Sequence, residues 1–70
     1  YTNKLLNDKN LSVSKVKEEV AELIEAVEKN TNKIHESADV IYHLLVYLEA
    51  NNIKIEDVIE ELEKRKKNVL

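Results

Sequence analysis

Lys15-Val16-Lys17-Glu18-Glu19-Val20-Ala21-Glu22 opens, and Glu36-Ser37-Ala38-Asp39 closes, the stretch around which this chain is organised. Glu19 and Glu22 are three apart, and so are Glu36 and Asp39. On a helix such residues share one face, with Cβ atoms roughly 5–6 Å apart. Set on two helices joined by a short turn, the two acidic pairs can face each other. Converging carboxylates repel unless a cation lies between them. Magnesium, which takes hard oxygen ligands and keeps several waters, is the leading candidate, with manganese as its substitute.

Helical periodicity frames both pairs. Val13, Val16, Val20, Leu23, Ile24 and Val27 recur at helical spacing and predict a helix over about Ser12 to Lys29, capped by Ser12 or Ser14. Asn30-Thr31-Asn32 closes it, since Asn tolerates the left-handed conformation that ends many helices. Thr31 or Asn32 then caps a helix over Lys33 to Ala50, whose stripe is Ile34, Ala38, Ile41, Leu45 and Leu48. With Leu44, Val46 and Tyr47 added, Val40–Leu48 is apolar nearly all round, His43 excepted, and calls for cover on most sides. Asn51-Asn52 makes the next turn. Ile55, Val58, Ile59 and Leu62 predict a last helix to about Lys67, with Glu56 and Asp57 in its first turn and Lys64-Arg65-Lys66-Lys67 in its last, as the helix dipole favours. Asn3–Leu6 reads as a short helical turn pinned by Leu5 and Leu6, followed by a polar loop over Asn7–Asn10. The expectation is an all-α fold, one domain over residues 1–70, with three main helices and a short N-terminal turn.

Composition narrows the function. A chain of 70 residues buries only about 60% of its unfolded surface. It has no Cys for disulfides. Metal binding, regular helices or self-association are the usual substitutes. The apolar Val40–Leu48 run points to a second copy as cover, hence a homodimer. Net charge is −3, which argues against a nucleic-acid partner. A bound divalent cation would still turn an acidic pocket into an anion site. No apolar run reaches the roughly 18 residues of a membrane span, and no signal peptide is visible, so a cytoplasmic location is expected. There is also no Met, so the natural N-terminus is expected to lie upstream. With no Gly, a glycine-rich phosphate loop is excluded.

Each candidate residue also has a plain explanation. Glu18, Glu19, Glu22, Glu25 and Glu28 would ordinarily be a solvated face, and spacing alone favours that. Yet like charges at these spacings destabilise a helix by a few tenths of a kcal/mol, and Lys15 and Lys29 relieve them only in part. Asp39 heads an apolar run where aspartate is a poor helix former. Lys15 or Lys33 could pair with it, and its carboxylate could accept a hydrogen bond from His43. Tyr42 and Tyr47 read as core or interface.

Tyr1-Thr2-x-Lys4-Leu5-Leu6, Lys15-Val16-x-Glu18-Glu19-x-x-Glu22, Glu36-x-Ala38-Asp39-x-x-Tyr42-His43-Leu44-Leu45 and Asp57-Val58-x-x-Glu61-Leu62-x-x-Arg65 together resemble the phosphoribosyl-ATP pyrophosphohydrolase family of histidine biosynthesis. That family is one of the MazG-like all-α nucleotide pyrophosphohydrolases. The resemblance covers nearly the whole chain in order. It implies a helical dimer and magnesium-dependent hydrolysis of phosphoribosyl-ATP to phosphoribosyl-AMP and pyrophosphate. It also implies metal ligation by Glu19, Glu22, Glu36 and Asp39, with Glu18 as an auxiliary. A carboxylate not consumed by metal, Glu18 or Glu22, would orient the attacking water as general base. Lys4, Lys15 and Arg65 are the candidate cations for the substrate's extra ribose phosphate, with Arg65 coming from the last helix of a second copy. Two positions depart from the family pattern: Lys17 stands where Gly is common, and Lys54 where Ser or Thr often caps the last helix. In some family members the domain is fused to a cyclohydrolase. Two rivals stand beside this expectation: a MazG-like enzyme that clears non-standard nucleoside triphosphates, and a non-catalytic helical dimerisation module.

Overall fold

A computed structural model describes residues 1–69, and the side chains of residues 1–66. The described chain is all-α. Four helices follow in order: α1 (Thr2–Asn7), α2 (Lys9–Lys29), α3 (Lys33–Ala50) and α4 (Ile55–Val69).

The helix boundaries are set by Asp and Asn. Asp8 alone separates α1 from α2; its extended backbone breaks the helix and its side chain accepts the Leu11 N–H at 3.0 Å. The expected polar loop over Asn7–Asn10 therefore shrinks to one residue, and Asp8 takes the cap assigned to Ser12 or Ser14. Ser12 instead lies inside α2, 1% exposed. At the other end of α2, Asn30 adopts φ 57°, ψ 46°. The Asn30 N–H returns to the Val27 carbonyl and the Thr31 N–H to Ala26 at 2.9 Å, the paired bonds of a Schellman closure. The same device ends α3, where Asn52 has φ 59° and the N–H groups of Asn52 and Ile53 reach the carbonyls of Glu49 and Leu48. A chain without glycine thus fills its left-handed positions with asparagine, whose short polar side chain tolerates them. Asn32 is left-handed as well and precedes α3 without a side-chain cap. At the start of α4, the Lys54 carbonyl accepts the N–H groups of Asp57 and Val58. Glu56 and Asp57 supply the negative charge that its first turn favours.

Helices α2 and α3 pack antiparallel as the main pair, α1 lies against both, and among the described residues α4 touches only α3. The seam differs from the predicted stripes. On α2 it runs through Ser12, Val16, Glu19, Leu23 and Ala26, all buried or half-buried, while Val20, Ile24 and Val27 are exposed. On α3 the inward residues are Glu36, Asp39, Val40, His43 and Val46. His43, the polar exception in the apolar run, is among the most buried of the described residues. Ile34 is 88% exposed, and Ile41, Leu44 and Leu45 are exposed too. Hydrophobic periodicity locates the apolar face correctly, but one chain has nothing to set against it. Buried apolar side chains are few among the described residues: Leu5, Ala26 and Val46.

The shape follows from this. The chain measures 34 × 34 × 15 Å, and a single helix is about 10–12 Å across. Its radius of gyration is 14.0 Å, against about 11 Å for a compact domain of this length. The fold is a thin helical layer with an apolar face open to solvent.

Candidate metal centre

The α2–α3 seam is where the acidic pairs meet. Because the helices are antiparallel about the turn at 30–32, Glu19 and Glu22 of α2 come alongside Glu36 and Asp39 of α3. Ligand oxygens of Glu19, Glu22 and Glu36 lie within 4.8 Å of one another. A second group on α3, His35, Glu36 and Asp39, meets the same limit and shares Glu36. A cleft of about 230 Å³ opens beside them, lined in part by Glu22, Ala26, Asn32 and Glu36.

Two carboxylate oxygens in this cluster, Glu19 Oε2 and Glu36 Oε2, are buried and accept no hydrogen bond. A buried polar atom without a partner costs about 1–3 kcal/mol, more when charged. The electrostatics agree with the geometry. Burial, then the neighbouring charges of Glu22, Asp39 and Glu36, push the Glu19 carboxyl above its ordinary value. Burial, then Glu22 and Asp39, do the same to Glu36. Several like charges therefore share one partly desolvated place. The donor set is oxygen only at its centre, which suits a hard cation: on an octahedral magnesium ion, opposite ligand oxygens sit about 4 Å apart. The residues present fit such an ion, with Glu19, Glu22 and Glu36 at the core and Asp39 at the edge.

The partners of these carboxylates differ in part from those expected. Asp39 pairs with His35, Nε2 to Oδ2 at 3.4 Å, rather than with Lys15, Lys33 or His43. His43 crosses to the other helix, its Nε2 3.8 Å from Glu19 Oε1. Sequence reading passed over His35, although its position four residues before Asp39 on one helix carried the signal. Glu18 is exposed and belongs to neither group, and Lys15 Nζ donates to its Oε2 at 3.1 Å. That bond, with the Glu18 charge behind it, raises the Lys15 ammonium pKa. Glu22 belongs to the cluster and is exposed enough to meet solvent.

The candidate phosphate cations are scattered. Lys15 is half-buried on α2, one turn before Glu19, and Lys4 is exposed on α1. Arg65 is exposed on α4 and pairs with Glu61 at 3.4 Å. Among the described residues α4 touches only α3, so Arg65 is not gathered with Lys4 and Lys15 there. At the far edge of the seam, Tyr42 shares a hydrogen bond with the Thr2 hydroxyl and ties α1 to α3. Tyr42 is therefore a surface clasp rather than core, while Tyr47 is half-buried.

Comparison with known proteins places this geometry. The family model described as phosphoribosyl-ATP pyrophosphohydrolase matches residues 1–66. A phosphoribosyl-ATP pyrophosphatase of Clostridium acetobutylicum is 49% identical over 76 aligned positions, covering 100% of this chain and 66% of the relative. That of Clostridium novyi is 48% identical, covering 99% and 66%. The chloroplastic histidine biosynthesis bifunctional protein hisIE of Arabidopsis thaliana is 43% identical over 68 positions, covering 93% of this chain and 24% of the relative. The chain thus spans about two thirds of the length of the Clostridium relatives and about a quarter of the plant one. No solved structure matches it significantly. Helix order, the facing acidic pairs and a match over nearly the whole length lead to one conclusion: this chain belongs to the phosphoribosyl-ATP pyrophosphohydrolase family.

Proposed function

We propose that this protein hydrolyses phosphoribosyl-ATP to phosphoribosyl-AMP and pyrophosphate, with magnesium held by Glu19, Glu22, Glu36 and Asp39. The observation that carries the proposal is the pair of buried, unpartnered oxygens on Glu19 and Glu36 inside a carboxylate cluster. Family membership supplies the reaction; the cluster supplies a place for it.

Magnesium in this cluster would supply charge neutralisation for phosphate oxygens and acidify a water. The protein's own share is positional. Glu19 and Glu36, fixed by burial on two packed helices, hold their oxygens in place. Glu22 borders the open cleft and serves as the base that accepts a proton from the attacking water. Glu18, engaged by Lys15, supports the site through that lysine. Lys15 and Lys4 lie on the α1–α2 side and meet the substrate's phosphates. Arg65 joins them only from the last helix of a second copy.

A homodimer is part of the proposal, supported by the thin shape and the open apolar face of α2 and α3. A cytoplasmic location and a pathway link to a cyclohydrolase go with it. A nucleotide-clearing pyrophosphohydrolase would use the same carboxylates, so substrate choice must be measured. The test compares pyrophosphate release from phosphoribosyl-ATP, ATP and deoxynucleoside triphosphates. Strong preference for phosphoribosyl-ATP is expected; equal turnover of the ordinary triphosphates would overturn the assignment.

A further inference from the structure

His43 is 8% exposed and lies in the α2–α3 seam, yet it belongs to neither group of potential ligands. Its ring is held from two sides. Tyr42 stands edge-on to it with centroids 5.0 Å apart, and Tyr1 does so at 6.0 Å. Both tyrosines pack against the ring, and its Nε2 faces Oε1 of Glu19 across the seam at 3.8 Å. The other oxygen of the same carboxylate, Oε2, is the buried one without a partner. The two oxygens of Glu19 thus have different neighbours: one faces an imidazole nitrogen and the other has no hydrogen-bond partner.

We propose that His43 is a positioning residue for Glu19, its Nε2–H directed at Oε1 so that Oε2 is presented to the acidic cluster. The inference rests on the metal reading above. A carboxylate on a flexible side chain can rotate, and rotation would exchange its two oxygens. A single donor on one of them, carried by a ring packed on two sides, limits that freedom. Hydrogen-bond partners of this kind commonly fix the orientation of a metal ligand, and their loss costs roughly 10–100-fold in metal affinity. The 3.8 Å separation exceeds hydrogen-bond length, and the proposal requires the Glu19 side chain to move towards the ring. A neutral imidazole carries one N–H, so the proposal also specifies which nitrogen holds it.

The test is a calorimetric titration of the full chain with manganese alone, for wild type, His43→Phe and His43→Gln, with melting curves in EDTA alongside. Phe keeps the packing without the donor, whereas Gln restores an N–H near the position of Nε2. Affinity should fall about 10–100-fold in His43→Phe and recover most of that loss in His43→Gln. Equal manganese affinity in wild type and His43→Phe would overturn the positioning role while leaving the metal site standing. Absence of manganese binding by wild type would overturn the metal reading and this inference together. A second measurement needs no variant: long-range ¹H–¹⁵N spectra of the metal-free wild type at mildly alkaline pH. They should show the proton of His43 on Nε2; a proton on Nδ1 would overturn the proposal even if His43→Phe failed to fold.

Discussion

Glu19 on α2 and Glu36 on α3 meet across the helix seam, and each buries an oxygen that accepts no hydrogen bond. Two helices that could have closed over apolar side chains instead carry carboxylates at the middle of their contact. Such an arrangement lowers the stability of the protein by itself, and a cation bound there would offset it by mass action on the folded state.

Replacing Glu19 with Gln should therefore separate stability from activity. In EDTA the variant should be more stable by about 1 kcal/mol, because a buried carboxylate lacking a partner is removed. For a chain of this size that is a rise of roughly 4–8 °C in Tm. The gain on adding magnesium should shrink, and kcat should fall by about 100-fold or more as charge stabilisation is lost. Melting curves with and without magnesium, at one protein concentration, check the first two, and steady-state assays the third. A metal response equal to wild type would place the ion elsewhere.

Metal-free stability should depend on pH in a direction opposite to ordinary acid denaturation. The carboxyls of Glu19 and Glu36 are held above their ordinary value in the folded chain. In the window between the ordinary value and the raised one, the folded state therefore binds more protons than the unfolded state. The stabilising contribution is complete below the ordinary carboxylate pKa and is lost as pH rises through the raised folded value. In EDTA, Tm should climb as pH falls from neutral towards that range. With saturating magnesium the trend should flatten or reverse, because protons then compete with the ion. A flat profile in EDTA would contradict the crowding of charges.

Self-association should be lost when charge is placed on the open face. Ile24, Ile41 and Leu45 are exposed on α2 and α3, in a layer 15 Å thick. Leu45→Lys or Ile24→Lys should convert the protein to monomer or leave it unfolded, as read by sedimentation and circular dichroism. A compact, stable wild-type monomer at micromolar concentration would contradict the dimer.

Neutralising Lys15 should act on binding more than on chemistry. Lys15→Ala should raise KM for phosphoribosyl-ATP by about tenfold, the scale of one charge-assisted hydrogen bond, with a smaller change in kcat. That split marks an interaction made equally in ground and transition states. A loss confined to kcat would instead assign Lys15, through Glu18, to the reaction itself.

Much of this was legible in the residues. The 3.6-residue period of Val13 to Val27 and of Ile34 to Leu48 gave the two long helices, because an apolar stripe has no other regular use at that spacing. The acidic pairs stood out because their charges repel without relief along one helix. What the sequence concealed was which face turns to which neighbour. An amphipathic helix in an assembly has two contact faces, and the more apolar one of α2, Val20–Ile24–Val27, remains open within a single chain. The seam inside the chain runs through Ser12, Glu19 and His43, polar residues that lie outside the apolar stripes. The Asp8 cap was missed for a related reason: Ser12 and Ser14 competed for the role, and only backbone geometry decides among neighbouring caps. Arg65 lies on α4, which among the described residues contacts α3 alone, and its side chain pairs with Glu61 rather than with the cluster.

The most direct test follows phosphorus. Incubating the protein with phosphoribosyl-ATP and resolving products by ³¹P NMR identifies both the bond cleaved and the metal requirement. The expected result is phosphoribosyl-AMP and pyrophosphate in equal amounts with magnesium, and no turnover once EDTA removes it. Release of orthophosphate, or undiminished turnover in EDTA, would contradict cleavage between the α- and β-phosphates at a carboxylate-held metal.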